Sequence, residues 1–303
     1  MSISLRPHHP SFFAESSPID LRAVQNEDEL AEIRLGLDRY GVLLFRNQPF
    51  TDADQLAFAQ RLDGELHART GSSVLGRNRF GNEALTDIAN VDENGEIMQS
   101  NDRRRMYALG NRLWHTDASF QDPAGRYSLL HARVVPPVPA DTAFADMRAA
   151  YDDLDDETKE LIKDLRAHHS IAYSRQTLGF EFSEEEVSKL RGAVHPLVRV
   201  NPRTGRRSLY VASHASSIVD WPVPEGRLLL RDLIEHGIQS RYTHVHRWAV
   251  GDLVIWDNLA TMHKGMRYED TKYRRELRRV TTLDVPLSTA AEEAIRRATL
   301  VGV

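Results

Sequence analysis

His115-Thr116-Asp117, set directly behind Trp114, places an imidazole and a carboxylate two positions apart. On a strand such residues turn to the same face. His263 offers a second imidazole from a distant segment. Two histidines and one carboxylate cover one face of an octahedral ferrous ion and leave positions open for chemistry. A His-x-Asp pair alone is a weak signal, because a chain of this composition carries one by chance. Its neighbours strengthen it: Leu113 and Trp114 put the pair on or at the end of a partly buried strand. There an inward His and Asp are costly unless paired or metal-bound. His263 follows the run Gly251-Asp252-Leu253-Val254-Ile255-Trp256-Asp257-Asn258, as a third ligand from a separate strand would. His244 and His246 compete, since they too are two apart and could share a strand face in a cupin-type or zinc site. They rank lower because no carboxylate stands beside them at strand spacing. His168-His169, beside a helix end, is expected to cap carbonyls or face solvent.

Downstream of His263 lies Arg274-Arg275-Glu276-Leu277-Arg278-Arg279. In a strand Arg275 and Arg279 share one face, and Arg274 and Arg278 share the other. An arginine fork holds a carboxylate in two parallel hydrogen bonds. Two forks on one face beside a metal would hold two acids, one on a cosubstrate and one on a substrate. The plainer reading of either pair is a basic edge strand that resists aggregation.

The elements that must position these groups are mixed. The chain has 303 residues and no cysteine, so disulfides, zinc ribbons, iron–sulfur clusters and thiol catalysis are excluded. A net charge of -5, with no aromatics interleaved among the arginines, argues against nucleic acid as a partner. No apolar run approaches membrane-spanning length. The first 14 residues lack the apolar stretch of a secretory signal, so a soluble cytoplasmic protein is expected. Helices are expected over 26–39, from Thr51 to about Leu62, and at about 156–166, 225–238 and 289–299. Strands are expected at Val42–Phe45, Ala84–Ala89, Leu113–Asp117, Tyr127–Val135, Thr142–Ala145, Val194–Val200, Ser208–Ala212, Thr243–Trp248, Leu253–Trp256 and Arg275–Leu283. These strands do not alternate regularly with helices. A rolled antiparallel sheet with flanking helices fits better than a doubly wound parallel one. Residues 173–192, rich in glutamate, read as a surface excursion or a mobile lid.

Taken together, Trp114-His115-Thr116-Asp117, Gly251 to Asn258, His263 and Arg275-Glu276-Leu277-Arg278-Arg279 resemble the taurine and 2,4-dichlorophenoxyacetate dioxygenases. The likeness spans about Pro10 to Asp284. It is closest to the 2,4-dichlorophenoxyacetate branch through Asp146-Met147-Arg148-Ala149-Ala150-Tyr151 and Arg275 to Leu283. The resemblance implies one mainly β domain over 1–303, a double-stranded β-helix or jelly roll with flanking helices. It implies ferrous iron held by His115, Asp117 and His263, with 2-oxoglutarate and dioxygen as cosubstrates. Thr142 and Arg275 would hold 2-oxoglutarate, Arg279 the substrate's acid, and Asn111 would line the pocket. The expected substrate is a small carboxylate of aryloxyacetate type, cleaved to a phenol and glyoxylate. A taurine-like sulfonate, or a cupin-like zinc or manganese hydrolase or isomerase, are the alternatives. A homo-oligomer is implied. Asn201 and Ser217 fall where herbicide-cleaving members carry pocket histidines, and the segment His67 to Ser73 aligns poorly.

Overall fold

The structure, a computed structural model, describes residues 3–68, 75 and 79–300. Val42–Phe45 shows how the sequence builds the main sheet. All four residues of this apolar run are buried. Val42 and Leu44 pack inward with Phe144, Leu130, Val254 and Trp256. Leu43 and Phe45 pack outward beneath Leu30, Ile33, Leu37, Phe58 and Leu62. A strand covered on both faces reads as an unbroken apolar run rather than an alternating one.

Seven strands make this sheet, in the order Leu5–Pro7, Ala14–Ser16, Val42–Phe45, Leu253–Asp257, Gly125–Val134, Glu276–Leu283, Thr86–Ala89. Every pairing is antiparallel except that of Ala14–Ser16 with Val42–Phe45. A second, three-stranded sheet runs Thr243–His246, Thr142–Asp146, Thr261–Gly265. Phe144 of that sheet joins the inner residues of the first, so the core lies between the two. This is a jelly roll, with helices packed outside as expected.

The outer helices are fixed by caps. Glu27–Tyr40 starts at Asn26, whose side chain accepts the Glu29 amide, and ends at Gly41, which takes a positive φ of 69°. Asp52–Asp63 begins with a capping box between Thr51 and Asp54. The helices expected near 225–238 and 289–299 are Val223–Gly237 and Thr289–Leu300. No helix among the described residues is long and apolar enough to cross a membrane.

Several expectations need correction. Leu113–Asp117 is not a strand: it contributes one antiparallel bridge, His115 to His263, and then turns at Ala118, where φ is 55°. The helix expected over 156–166 ends at Ile162. Arg166–His169 is instead the middle strand of a small sheet with Ala193–Pro196 and Ala215–Ile218. His169 is therefore fully buried against Tyr210 and faces no solvent, while His168 does bond a carbonyl, that of Arg191. Val194–Val200 divides into Ala193–Pro196 and Val198–Val200, which belong to different sheets. The stretch 173–192 carries the end of helix Ile171–Gln176 and all of Glu184–Lys189. Phe180 and Phe182 set their rings edge-on to Tyr107, and Arg103 pairs with Glu186 at 2.8 Å.

Candidate active site

The bridge brings the two histidines together through their own backbones. The His115 amide donates to the His263 carbonyl at 3.0 Å, and the His263 amide returns the bond at 2.7 Å. The carboxylate oxygens of Asp117 lie 3.9 Å from His115 Nε2 and 3.8 Å from His263 Nε2. Ligand atoms from all three residues fall within 4.8 Å of one another, and no other such set occurs among the described residues. His115 Nδ1 lies 2.7 Å from the Leu113 carbonyl, which can only accept. That bond places the proton on Nδ1 and leaves the Nε2 lone pair free for a metal.

Electrostatics agree with this donor set. Burial lowers the His115 pKa to about 4 and holds His263 well below its usual value. Both imidazoles are therefore neutral at pH 7. Burial works against ionisation of Asp117, but Arg279, the two histidines and the Ser128 hydroxyl outweigh it and bring its pKa down to about 2. Two neutral nitrogens and one carboxylate, buried and without a proton to displace, suit a divalent transition ion. The buried His263 Nδ1 has no hydrogen-bond partner.

Asn258 explains how a non-strand segment is held so closely. Its carbonyl accepts from Thr116 Oγ1 at 2.6 Å. Its side-chain oxygen accepts the Asp117 amide at 3.0 Å and Trp256 Nε1 at 2.9 Å. Its Nδ2 donates to Ser128 Oγ, which in turn donates to Asp117 Oδ2 at 2.7 Å. Groups of this kind, which orient a ligand without touching the metal, cost roughly 10–100-fold in affinity when removed. Asn258→Ala is expected to weaken ferrous or manganous binding by about that factor in a direct metal titration. A change of less than about twofold would mean that Asp117 is positioned without Asn258.

Two cavities flank these three residues. One, of about 130 Å³, is walled by Thr142, Arg275, His263, Trp256, Leu130 and Tyr268. The other, of about 610 Å³, is walled by residues including Asp117, Tyr107, Arg175, His214, Phe120 and His67. Asn111 and Arg279 line both. The arginine ladder is thereby sorted. Arg274 and Arg278 lie on the other face of the strand and are neutralised by Glu276, with Asp87 also 3.2 Å from Arg278, which is itself buried. Arg275 and Arg279 point inward. Arg275 has no carboxylate within 4.0 Å among the described residues and donates from Nε to the Ala140 carbonyl at 3.2 Å. Thr142 Oγ1 accepts from Trp248 Nε1 at 3.0 Å, which orients its hydroxyl. Arg279 donates from Nη1 to Asp117 Oδ1.

The rival and secondary positions resolve as well. His246 lies 3.2 Å from Asp252, and His244 packs against Phe13, so those two histidines do not form a metal set. Asn201 and Ser217 line neither cavity, contrary to the placement implied by resemblance. Asn201 bonds Asp38 at 2.8 Å inside a hairpin. His67 does reach the larger cavity, buried and with its pKa lowered to about 4 mainly by burial. Of the segment His67 to Ser73, residues 69–73 lie outside the described residues. Tyr107, Arg175 and His214 were not anticipated, since each arises from a short helix or loop with no periodic signal.

Two imidazoles and a carboxylate on a jelly roll, with an inward arginine beyond them, fit the class of mononuclear non-haem iron oxygenases. Comparison with known proteins narrows the class. The chain belongs to the TauD/TfdA dioxygenase family, matching "Taurine catabolism dioxygenase TauD, TfdA family" over residues 4–281. It is 44% identical over 285 residues to the alpha-ketoglutarate-dependent 2,4-dichlorophenoxyacetate dioxygenase of Cupriavidus pinatubonensis, covering 94% of this chain and 99% of that one. It is 33% identical over 244 residues to the (S)-phenoxypropionate/alpha-ketoglutarate-dioxygenase of Sphingobium herbicidovorans, covering 78% and 79%. Among solved structures, AAD-2 in complex with Mn(II) and N-oxalylglycine superposes with a TM-score of 0.90 at 41% identity, covering 95% of this chain and all of that one.

Proposed function

We propose that the chain is a ferrous, 2-oxoglutarate-dependent dioxygenase that hydroxylates a C–H bond of a small carboxylic acid with an aromatic or apolar body, foremost an aryloxyacetate. The observation that carries this reading is the sorting of the arginines. Two are neutralised on the opposite strand face by Glu276 and Asp87, and two line the cavities beside His115, Asp117 and His263. His115, Asp117 and His263 hold the iron. Arg275 and Thr142 anchor the far carboxylate of 2-oxoglutarate in the smaller cavity. Arg279 holds the acid of the substrate, and Asn111, on the wall between the cavities, contacts it. Iron held there would supply the coupling of oxidative decarboxylation of 2-oxoglutarate, giving succinate and carbon dioxide, to insertion of the second oxygen atom of dioxygen into the substrate C–H bond. Hydroxylation beside an ether oxygen yields a hemiacetal, which collapses to a phenol and glyoxylate. The protein supplies position and dryness: buried walls exclude water, and two charged anchors fix which hydrogen faces the metal.

The chain is read as one dioxygenase domain over 1–303, acting in the cytoplasm as a homo-oligomer. Residues 173–192 serve as a lid, pinned over Tyr107 by Phe180 and Phe182.

Anaerobic protein with ferrous ion and 2-oxoglutarate is expected to develop a visible charge-transfer band. Admission of air with a chlorinated phenoxyacetate then releases succinate and phenol in equal amounts. No band, and no succinate with any carboxylate or sulfonate, would remove the oxygenase reading. Release with taurine-like sulfonates alone would move the substrate class.

A further inference from the structure

Arg175 is a built feature of the larger cavity that the proposed reaction does not use. It comes from the helix Ile171–Gln176 and is 97% buried, at 3% exposure. Its guanidinium lies 4.8 Å over the ring of Tyr107. Gly110 lies against it closely enough that a Cβ there would meet Arg175 Cδ, Cζ and Nε at 2.4 Å. Gly110 has no positive φ, so space rather than backbone conformation requires glycine at this position. The plane of the guanidinium is thus held in a slot.

The hydrogen bonds of Arg175 are incomplete. Nη2 donates to Asn111 Oδ1 at 2.8 Å and Nη1 to Ser174 Oγ at 3.3 Å, both neutral acceptors. Nε has no partner. A guanidinium carries five N–H donors, and only two are engaged. No carboxylate among the described residues comes within 4.0 Å of Arg175. Of the other arginines on this wall, Arg279 already faces Asp117, Arg79 is paired with Asp87 and Glu276, and Arg104 is exposed. A buried charge without a counter-charge is costly, and an incoming anion relieves that cost.

We propose that Arg175 is a specificity-determining residue that holds a second anionic group of the substrate, on the part of the molecule remote from the acid bound by Arg279. The preferred substrates are then diacids, or aryloxy acids with a second acidic group on the ring. This inference rests on the aryloxy-acid reading and deepens it. Arg175 and Arg279 reach the same cavity from separate elements, a helix and a strand, so each can hold its own anionic group.

The test is equilibrium binding by calorimetry to the manganese- and 2-oxoglutarate-loaded protein, which does not turn over. The probes are phenoxyacetate and 4-carboxyphenoxyacetate. The unaltered protein is expected to bind the diacid about tenfold or more tightly than the monoacid, the value of a hydrogen bond between charged partners. Arg175→Met is expected to erase that preference while changing the monoacid affinity less than about threefold. Arg175→Lys keeps the charge and retains part of the preference, and it decides the matter if the Met variant does not fold. Equal weakening of both acids would overturn the proposal in favour of a purely structural arginine that orients Asn111. Absence of any diacid preference in the unaltered protein would overturn it as well. Failure of the monoacid to bind at all would instead bring down the aryloxy-acid reading, and this inference with it.

Discussion

His115→Ala leaves a folded chain with no iron-dependent succinate formation, a loss well beyond the roughly 10–100-fold expected for residues that only support a ligand. In the proposed site the imidazole supplies one of three protein donors, and no other histidine stands ready to replace it. His214 is the nearest other ring, 5.7 Å from His115 between centroids, but its Nδ1 is engaged by Ser174 at 2.9 Å. Asp117→Ala abolishes turnover equally but differs in stability. Asp117 is the counter-charge of Arg279, and breaking a fully buried pair costs about 3–5 kcal/mol. The cost here is smaller, because the Arg279 side chain keeps 17% of its surface in solvent. Metal-free melting temperatures are therefore expected to fall for Asp117→Ala and to hold nearly steady for His115→Ala. Retention of full activity by either variant would take that residue out of the metal site.

Arg275→Ala and Arg279→Ala are expected to fail in opposite ways. Arg275 faces the smaller cavity beside Thr142, and in the proposed site its removal would leave the far carboxylate of 2-oxoglutarate without its charged partner. Losing one member of a desolvated charge pair costs about 2–5 kcal/mol, or roughly 30-fold and upward in affinity. That loss is expected in the KM for 2-oxoglutarate, with the prime-substrate KM nearly unchanged. Arg279→Ala should instead raise the KM of the acid substrate and increase succinate formation uncoupled from substrate hydroxylation. Steady-state kinetics with each component varied in turn separates the two. Reversed effects would mean that the two arginines hold each other's assigned acids.

The sequence carried much of this site, and the places where it did not have physical causes. Spacing pointed to His115, Asp117 and His263 as candidates and the family resemblance made them a set; the fold brings their ligand atoms within 4.8 Å of one another, though the strand expected to carry the pair is absent. The period of a strand could not choose between the arginine pairs, because both alternate equally well. The choice is made by Glu276 and Asp87, which neutralise one face only, and Asp87 arrives from another strand. Leu113–Asp117 read as a strand because apolar residues precede the pair. In the fold, its polar groups are taken up by Asn258, a partner more than 140 positions away. His169 was misplaced because the helix before it ends early and the chain re-enters a small sheet. The helices at 27–40 and 52–63 were legible because their caps are local. Arg175 was not, since its slot depends on Gly110 and Tyr107, which belong to a different segment.

The backbone pairing of His115 with His263 has a consequence for how the protein acquires its ion. In proteins where metal binding and folding are one event, the ion's identity is checked by whether the chain folds around it. Here two donors are locked in place by amide–carbonyl bonds of 3.0 and 2.7 Å that involve no metal. An ion held by these residues would enter a finished seat, and ions of similar charge and size would gain the same fit. Affinity for such seats rises along the first-row series, so iron is not favoured by chemistry alone. Loading of the proposed site would then follow supply: the pool of available ferrous ion, set against manganese, cobalt and nickel, would determine which fraction of the molecules is competent at any moment.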